Sequence, residues 1–191
     1  MSELPKRKNP RLSGYDYSDN GAYFITICTK DRLNLFGEIF FDAQDVFPDG
    51  QNVSLDTQDV FRNAQNIVGC DALGAPKMRL SKYGLIVDKE IKETALYYQS
   101  ITIDKYVVMP NHIHMIIVID GNGVPRASRP TMLIPNIIAA LKKKTNKQCD
   151  GSLWQKSYYD HIIRNETDYL RIWQYIDENP VKWADDKYYI G

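Results

Sequence analysis

The stretch Lys105–Ile119, KYVVMPNHIHMIIVI, decides how this chain is read. Tyr106-Val107-Val108-Met109 and Met115-Ile116-Ile117-Val118-Ile119 are β-branched and apolar, and both read as strands. Pro110-Asn111 between them is turn chemistry, so the stretch is a hairpin whose second strand opens with His112-Ile113-His114. Residues at i and i+2 of a strand leave the same face of a sheet, which brings two imidazoles toward one point. Imidazole is a common nitrogen ligand for divalent metals. Two half-buried strand histidines with no ligand would give the same pattern, so the hairpin alone leaves both readings open.

Working outward, the strand signal recurs at Ala22–Thr29, AYFITICT, and at Trp154–Arg164, WQKSYYDHIIR. GEIFF, near residue 40, is a possible short strand. Ser81 is placed to cap a helix in which Leu85, Ile86, Ile91, Ala95, Leu96 and Tyr98 recur at roughly helical spacing. A second helix over residues 131–148 has an apolar front of Met132, Leu133, Ile137, Ile138 and Leu141, and a third covers 166–179. The order strand, helix, strand, strand, helix, strand, then an extra helix, predicts an α+β fold. It is the ferredoxin-like βαββαβ motif, an antiparallel sheet with helices on one face and the other face open to a substrate. The expected organisation is a single domain over 1–191, with a basic arm at 1–20 and an insertion or long loop at 42–76. Within that loop QDVFRNAQNIV reads as a short helix.

The formal net charge of zero hides an asymmetry. Residues 1–12 carry Lys6, Arg7, Lys8 and Arg11 against Glu3, and residues 37–60 carry six acids and no base. Residues 129–148 carry Arg129, Lys142, Lys143, Lys144 and Lys147 with no acid. Such segregation fits a basic working face and an acidic insertion elsewhere. The three cysteines, Cys28, Cys70 and Cys149, are far apart and suggest neither a disulfide framework nor a zinc ribbon. No signal-peptide core is present, and the aliphatic run Met115–Ile119 is too short to span a bilayer. The expectation is a cytoplasmic protein with no membrane partner.

In the last helix, Tyr169, Ile172, Trp173 and Ile176 form one stripe, which predicts a core role for Tyr169. Tyr175 falls outside the stripe, with Arg171 at i−4 and Asn179 at i+4 on the same side. A tyrosine beside an arginine and an amide is either an ordinary surface residue or a nucleophile. Asn179 is ambiguous too. Followed by Pro180, it could cap a further short helix, PVKWADD, or offer its oxygen to a metal.

Three segments together, GYDYSDNGAYFITICT (14–29), KYVVMPNHIHMIIVI (105–119) and WQKSYYDHIIRNETDYLRIWQYIDENPVKWA (154–184), resemble the REP-associated tyrosine transposases. These are relatives of the insertion-sequence HUH transposases with a single catalytic tyrosine. The resemblance covers about residues 7–40 and 78–185 and omits the acidic segment. It implies a DNA transposase or strand-transferase that nicks and rejoins single-stranded DNA near hairpins through a 5′-phosphotyrosine intermediate. It implies Mg²⁺ or Mn²⁺ held by His112 and His114, a catalytic Tyr175, and a polar third ligand at Asn179, where some relatives have Gln. The implied partner is single-stranded DNA with a hairpin (REP-like) structure, bound by a monomer or homodimer. His161 lies in a matching stretch, and strand packing is its expected role.

For DNA contact, Lys142, Lys143, Lys144 and Lys147 are candidates for phosphates, with Arg171 beside the tyrosine. The arm residues Lys6, Arg7, Lys8, Arg11, Tyr15 and Tyr17 interleave charge and aromatic rings, a mixture suited to unstacked bases. Two other readings share the fold: a non-catalytic single-stranded nucleic-acid binder and a metal-dependent hydrolytic nuclease. RNA-recognition modules of βαββαβ order place aromatics on the central strands, where this chain has His-Ile-His.

Overall fold

The computed structural model describes residues 15–40, 67–68, 76–120 and 133–189. Its strands are β1 Gly21–Cys28, β2 Gly37–Phe40, β3 Ile67–Val68, β4 Lys77–Leu80, β5 Ile101–Val108, β6 His112–Ile119 and β7 Tyr159–Ile163. Its helices are α1 Lys82–Tyr97, α2 Leu133–Gln148 and α3 Glu166–Glu178. Four strands pair antiparallel in the order β5-β6-β1-β7. With α1 between β1 and β5, and α2 between β6 and β7, this is the expected ferredoxin-like βαββαβ sheet. A second small sheet, β2-β4-β3, flanks it. The segment 77–80 gave no strand signal, and Ile67-Val68, read as the end of a short helix, are strand; the rest of that helix lies outside the described residues.

Alternation along the two central strands sorts side chains onto two faces. Tyr23, Ile25 and Ile27 of β1, with Ile113, Met115 and Ile117 of β6, join α1 and α2 in one apolar core. Phe24 and Ile116 face the other way and meet Ile172 and Ile176 of α3. The second face is therefore partly roofed rather than open: α3 lies against β5 and β6. The uncovered part lies over β1 and the edge strand β7.

Ser81 caps α1, its hydroxyl accepting from the amides of Tyr83 and Gly84 at 3.2 Å and donating to the Leu35 carbonyl at 2.6 Å. A Cβ on Gly84 would lie 2.1 Å from the Phe36 carbonyl, so a bare α-carbon lets β2's approach cross this helix. The apolar phase of α1 differs in part from expectation. The buried residues are Gly84, Val87, Glu90, Ile91 and Thr94, and Leu96 is exposed. Ile91 is buried and Leu85 and Tyr98 pack against the core as expected, but small and polar residues share that face, so hydrophobicity marked only part of it. The front of α2 is as expected: Leu133, Ile137, Ile138 and Leu141 are buried, and Met132 lies outside the described residues. β7 starts at Tyr159, with Trp154 joined separately to Thr29 by an isolated bridge.

Candidate functional site: two histidines, a tyrosine and a carboxylate

His112 and His114 leave β6 on the face opposite the helix core, and both are completely buried. Their ring centroids are 4.5 Å apart. The tautomer of His112 follows from its neighbour. The Asn111 amide nitrogen donates to the carbonyls of Arg32 at 3.1 Å and Tyr188 at 2.8 Å. Its oxygen is thereby turned to accept from His112 Nδ1 at 2.9 Å. The proton sits on Nδ1, and Nε2 keeps a bare lone pair. His114 Nδ1 lies 2.7 Å from the Thr26 hydroxyl, and its Nε2 lies 3.2 Å from the Tyr175 hydroxyl.

Tyr175 comes down from α3 onto this pair. Its hydroxyl also donates to Asp186 Oδ2 at 3.2 Å, and Asp186 Oδ2 accepts from the Asn179 amide nitrogen at 3.1 Å. The residues that α3 was expected to project together, Arg171, Tyr175 and Asn179, do line one cleft of 590 Å³ with Asp186. Phe24 of β1 contributes to its wall, edge-on to Tyr175 at 6.0 Å between centroids.

Asn179 ends α3 in helical geometry and caps no following helix. The next turn is the 3-10 helix Trp183–Asp185, whose N-cap is Lys182. The Asn179 side chain is instead buried and turned toward the site.

Burial sets the electrostatics. It holds the His112 pKa down to about 4, against an opposing pull from the Asp186 charge. It pushes the His114 pKa well below the ordinary value, with the neighbouring His112 adding to the effect. Both rings are neutral near pH 7, as ligands must be. Burial, then the Asp186 charge, pushes the Tyr175 phenol far above its usual pKa.

Two buried atoms lack a hydrogen-bond partner among the described residues at this point: His112 Nε2 and Asn179 Oδ1. Leaving such atoms unsatisfied costs about 1–3 kcal/mol each. Ligand atoms of His112, His114 and Asp186 all lie within 4.8 Å of one another. Two neutral nitrogens, an amide oxygen and a carboxylate are a hard-to-borderline donor set, which fits a divalent cation such as Mg²⁺ or Mn²⁺.

Other expected contacts lie elsewhere. Tyr17 is buried and Tyr15 half-buried; both pack against Tyr23 in the helix-side core. Lys142 donates to the carbonyls of Gln155 at 2.7 Å and Ser157 at 3.0 Å, and burial lowers its pKa to about 8. Lys144 reaches the buried Glu90 at 3.6 Å, while Lys143 and Lys147 are exposed. These lysines belong to α2, on the far side of the sheet from the histidines. Lys6, Arg7, Lys8 and Arg11 lie outside the described residues. Of the expected α3 stripe, Tyr169 is half-buried and donates its hydroxyl to Asp104, and Trp173 is exposed beneath the Lys105 ammonium. His161 does more than pack: its Nε2 lies 2.7 Å from Asp168 Oδ2.

Sequence reasoning missed Asp186 and Asn111. Asp186 sits in a polar tail segment, with no spacing to link it to the histidines. Asn111 reads as a turn residue, and its orienting role depends on carbonyls far along the chain.

No protein-family model matches the chain. An uncharacterised protein of Haemophilus influenzae is 30% identical over 96% of this chain and 93% of its own length. A second protein of that organism, provisionally named a REP-associated tyrosine transposase, is 28% identical over 48% of this chain. The match spans 55% of that relative's length. Among solved structures, a REP-associated tyrosine transposase bound to a REP hairpin shares the fold at a TM-score of 0.52. It is 20% identical, over 98% of this chain and 77% of that one. A ferredoxin-like sheet with paired strand histidines facing a helix-borne tyrosine is the class of protein defined here. The chain shares its fold with a REP-associated tyrosine transposase and is similar over 48% of its length to a relative provisionally given that name.

Proposed function

We propose that this protein is a DNA strand-transferase that nicks and rejoins single-stranded DNA near hairpins through a 5′-phosphotyrosine on Tyr175. One observation carries the reading: the Tyr175 hydroxyl lies 3.2 Å from both His114 Nε2 and Asp186 Oδ2, within a single chain. The residues read as nucleophile and metal ligands lie together in one chain, which supports a site formed in cis. The bound hairpin of the structural neighbour and the name of the shorter relative support DNA as the substrate class.

His112, His114, Asn179 and Asp186 would hold Mg²⁺ or Mn²⁺. When bound, the divalent cation supplies positive charge that polarises a non-bridging phosphate oxygen and offsets the Asp186 charge beside the phenol. Asn111 fixes the His112 ring so that Nε2 faces the site. Phe24 packs edge-on to the Tyr175 ring and His114 lies beside it, which steadies the ring with its hydroxyl in the cleft. Asp186 Oδ2 accepts the phenolic hydrogen bond and is placed to take that proton as the oxygen attacks phosphorus. A bond from Tyr175 oxygen to phosphorus forms, the bond to the 3′-oxygen breaks, and that oxygen takes a proton from solvent water and leaves as a 3′-OH. The phosphodiester is conserved in energy, so the reverse step rejoins DNA without a nucleotide cofactor.

The test is incubation of a hairpin-bearing single strand with Mn²⁺ and denaturing electrophoresis. A covalent protein–DNA adduct, absent in Tyr175→Phe and in His112→Ala, is the expected result. Cleavage that survives Tyr175→Phe would instead assign hydrolysis. Binding without cleavage, unaffected by His112→Ala, would leave a non-catalytic binder.

A further inference from the structure

The wall of the cleft away from the histidines carries a second constellation that the phosphotyrosine step does not use. Tyr159 and His161 are alternate residues of the edge strand β7, and both line the cleft. His161 pairs across β1 with Phe24, whose ring lies between those of Tyr175 and Tyr159, 6.0 Å from one and 6.4 Å from the other. One floor therefore runs from the nucleophile through Phe24 to Tyr159.

Above that floor one carboxylate holds two cationic or protonatable groups side by side. Asp168 Oδ2 lies 2.7 Å from His161 Nε2, and Asp168 Oδ1 accepts from Arg171 Nη2 at 2.6 Å. Asp168 is itself fixed, since Asn165 caps its backbone amide at 2.8 Å and its side chain is only 17% exposed. The Arg171 guanidinium beside it, and then His161, hold its carboxyl below the usual range. Arg171 is one turn of α3 before Tyr175, and its side chain is 71% exposed, so donors not engaged by Asp168 remain for a ligand. His161 keeps its second ring nitrogen outside the Asp168 contact.

Tyr159 is 47% exposed and presents a large aromatic ring to the cleft. The Lys187 ammonium stands 5.6 Å from its ring centroid and 4.8 Å from that of Tyr188. A half-exposed ring with a cation over one face, next to a guanidinium fixed by a carboxylate, is the donor set of one nucleotide: the other face for the base and charge for the phosphate. A hydrophobic ligand would leave Arg171 and Lys187 unsatisfied, and an anion alone would not use the ring.

We propose that Tyr159, His161 and Arg171 form a subsite for the nucleotide flanking the cleaved phosphodiester. Its base stacks on Tyr159, and its phosphate lies against Arg171 and His161. The location of the cleaved bond rests on the phosphotyrosine reading; the stacking and phosphate contacts do not. Asp168 is a positioning residue in this arrangement, since it acts through Arg171 and His161.

The test uses the full chain as Tyr175→Phe, which keeps the DNA uncut, with Mn²⁺ present. Hairpin-bearing single strands carry one 2-aminopurine, moved a position at a time along the strand, and the cut position is mapped with the wild type. Stacking on Tyr159 predicts quenching at the position next to the cut on one side, lost in Tyr159→Ala and retained in Tyr159→Phe. Arg171→Gln is expected to reduce the slope of log affinity against log salt by about 0.7, the share of one single-strand phosphate. Quenching unaltered by Tyr159→Ala at every position overturns the stacking contact. An unaltered salt slope overturns the phosphate contact. If the wild type forms no adduct but a Tyr159-dependent quench appears, the phosphotyrosine reading fails and the strand subsite stands. If the adduct forms and no position depends on Tyr159, the reverse holds.

Discussion

The two faces of the central sheet are built from the same strands and do opposite things. On the α1–α2 face, Tyr23, Ile25, Ile27, Ile113 and Ile117 are fully buried among apolar side chains. On the α3 face the alternate residues Thr26, His112 and His114 are as deeply buried but polar, and two of the atoms gathered there are unsatisfied. The first face is mainly apolar, although Glu90 and Asp160 each bury an oxygen there without a hydrogen-bond partner among the described residues. The other gives up stability to keep donor atoms dry and aimed at one point. The difference arises from a period of two in the backbone and needs no change of fold.

The largest test of this contrast is on the apolar face. Ile137→Ala should cost about 2–5 kcal/mol of unfolding free energy in a urea titration, by lost transfer energy and cavity formation. The adduct formed per folded molecule should not change, since Ile137 is separated from the site by the sheet. A loss of adduct at full folding would show that the two faces are coupled.

On the polar face an apolar replacement should act in the opposite direction. Asn179→Leu removes, at similar volume, a buried oxygen with no partner among the described residues together with the amide's bond to Asp186, which water can replace at that partly exposed carboxylate. The metal-free protein should be as stable as the parent or more stable, by up to about 1–2 kcal/mol. Mn²⁺ should then no longer raise its melting temperature as it does in the parent. Marked destabilisation of the metal-free variant would mean that Asn179 is held for packing.

The smallest effect is a shift in titration. The Asp186 charge contributes to raising the Tyr175 phenol, so Asp186→Asn should lower that pKa in the metal-free protein. A phenol raised on folding stabilises the fold below its unfolded pKa and loses that contribution as pH rises through the folded value. Asp186→Asn should accordingly bring Tyr175 ionisation to lower pH, read as tyrosinate absorbance against a Tyr175→Phe control. An unmoved titration would leave burial as the whole cause.

Much of the site was legible because its chemistry is carried by local periods. The i, i+2 spacing of His112 and His114 required only that β6 be a strand. The i, i+4 spacing around Tyr175 required only that α3 be a helix, with Ile172 and Ile176 marking its buried side. The buried face of α1 was legible only in part, since Ile91 lies on it as expected but so do Gly84, Glu90 and Thr94, while Leu96 does not. Of the α2 lysines expected at phosphates, Lys142 binds two carbonyls and Lys144 reaches Glu90, while Lys143 and Lys147 stay exposed. In both cases the neighbouring element decides what a side chain does, and a single segment carries no record of that neighbour.

By itself the sequence determined the order of elements, the common face of the two histidines and the side of α3 on which Tyr175 stands. Backbone geometry sets all three, and it acts over a few residues. Only the tertiary structure decided that α3 folds over that face rather than away from it. It also decided that Asn179 is turned inward rather than spent on a cap, and that Asp186 completes the group. Those outcomes depend on packing and hydrogen bonds between segments far apart in the chain, as Thr26 is from His114 at 88 residues. Chain closure over that distance is fixed by the whole core and by no local period.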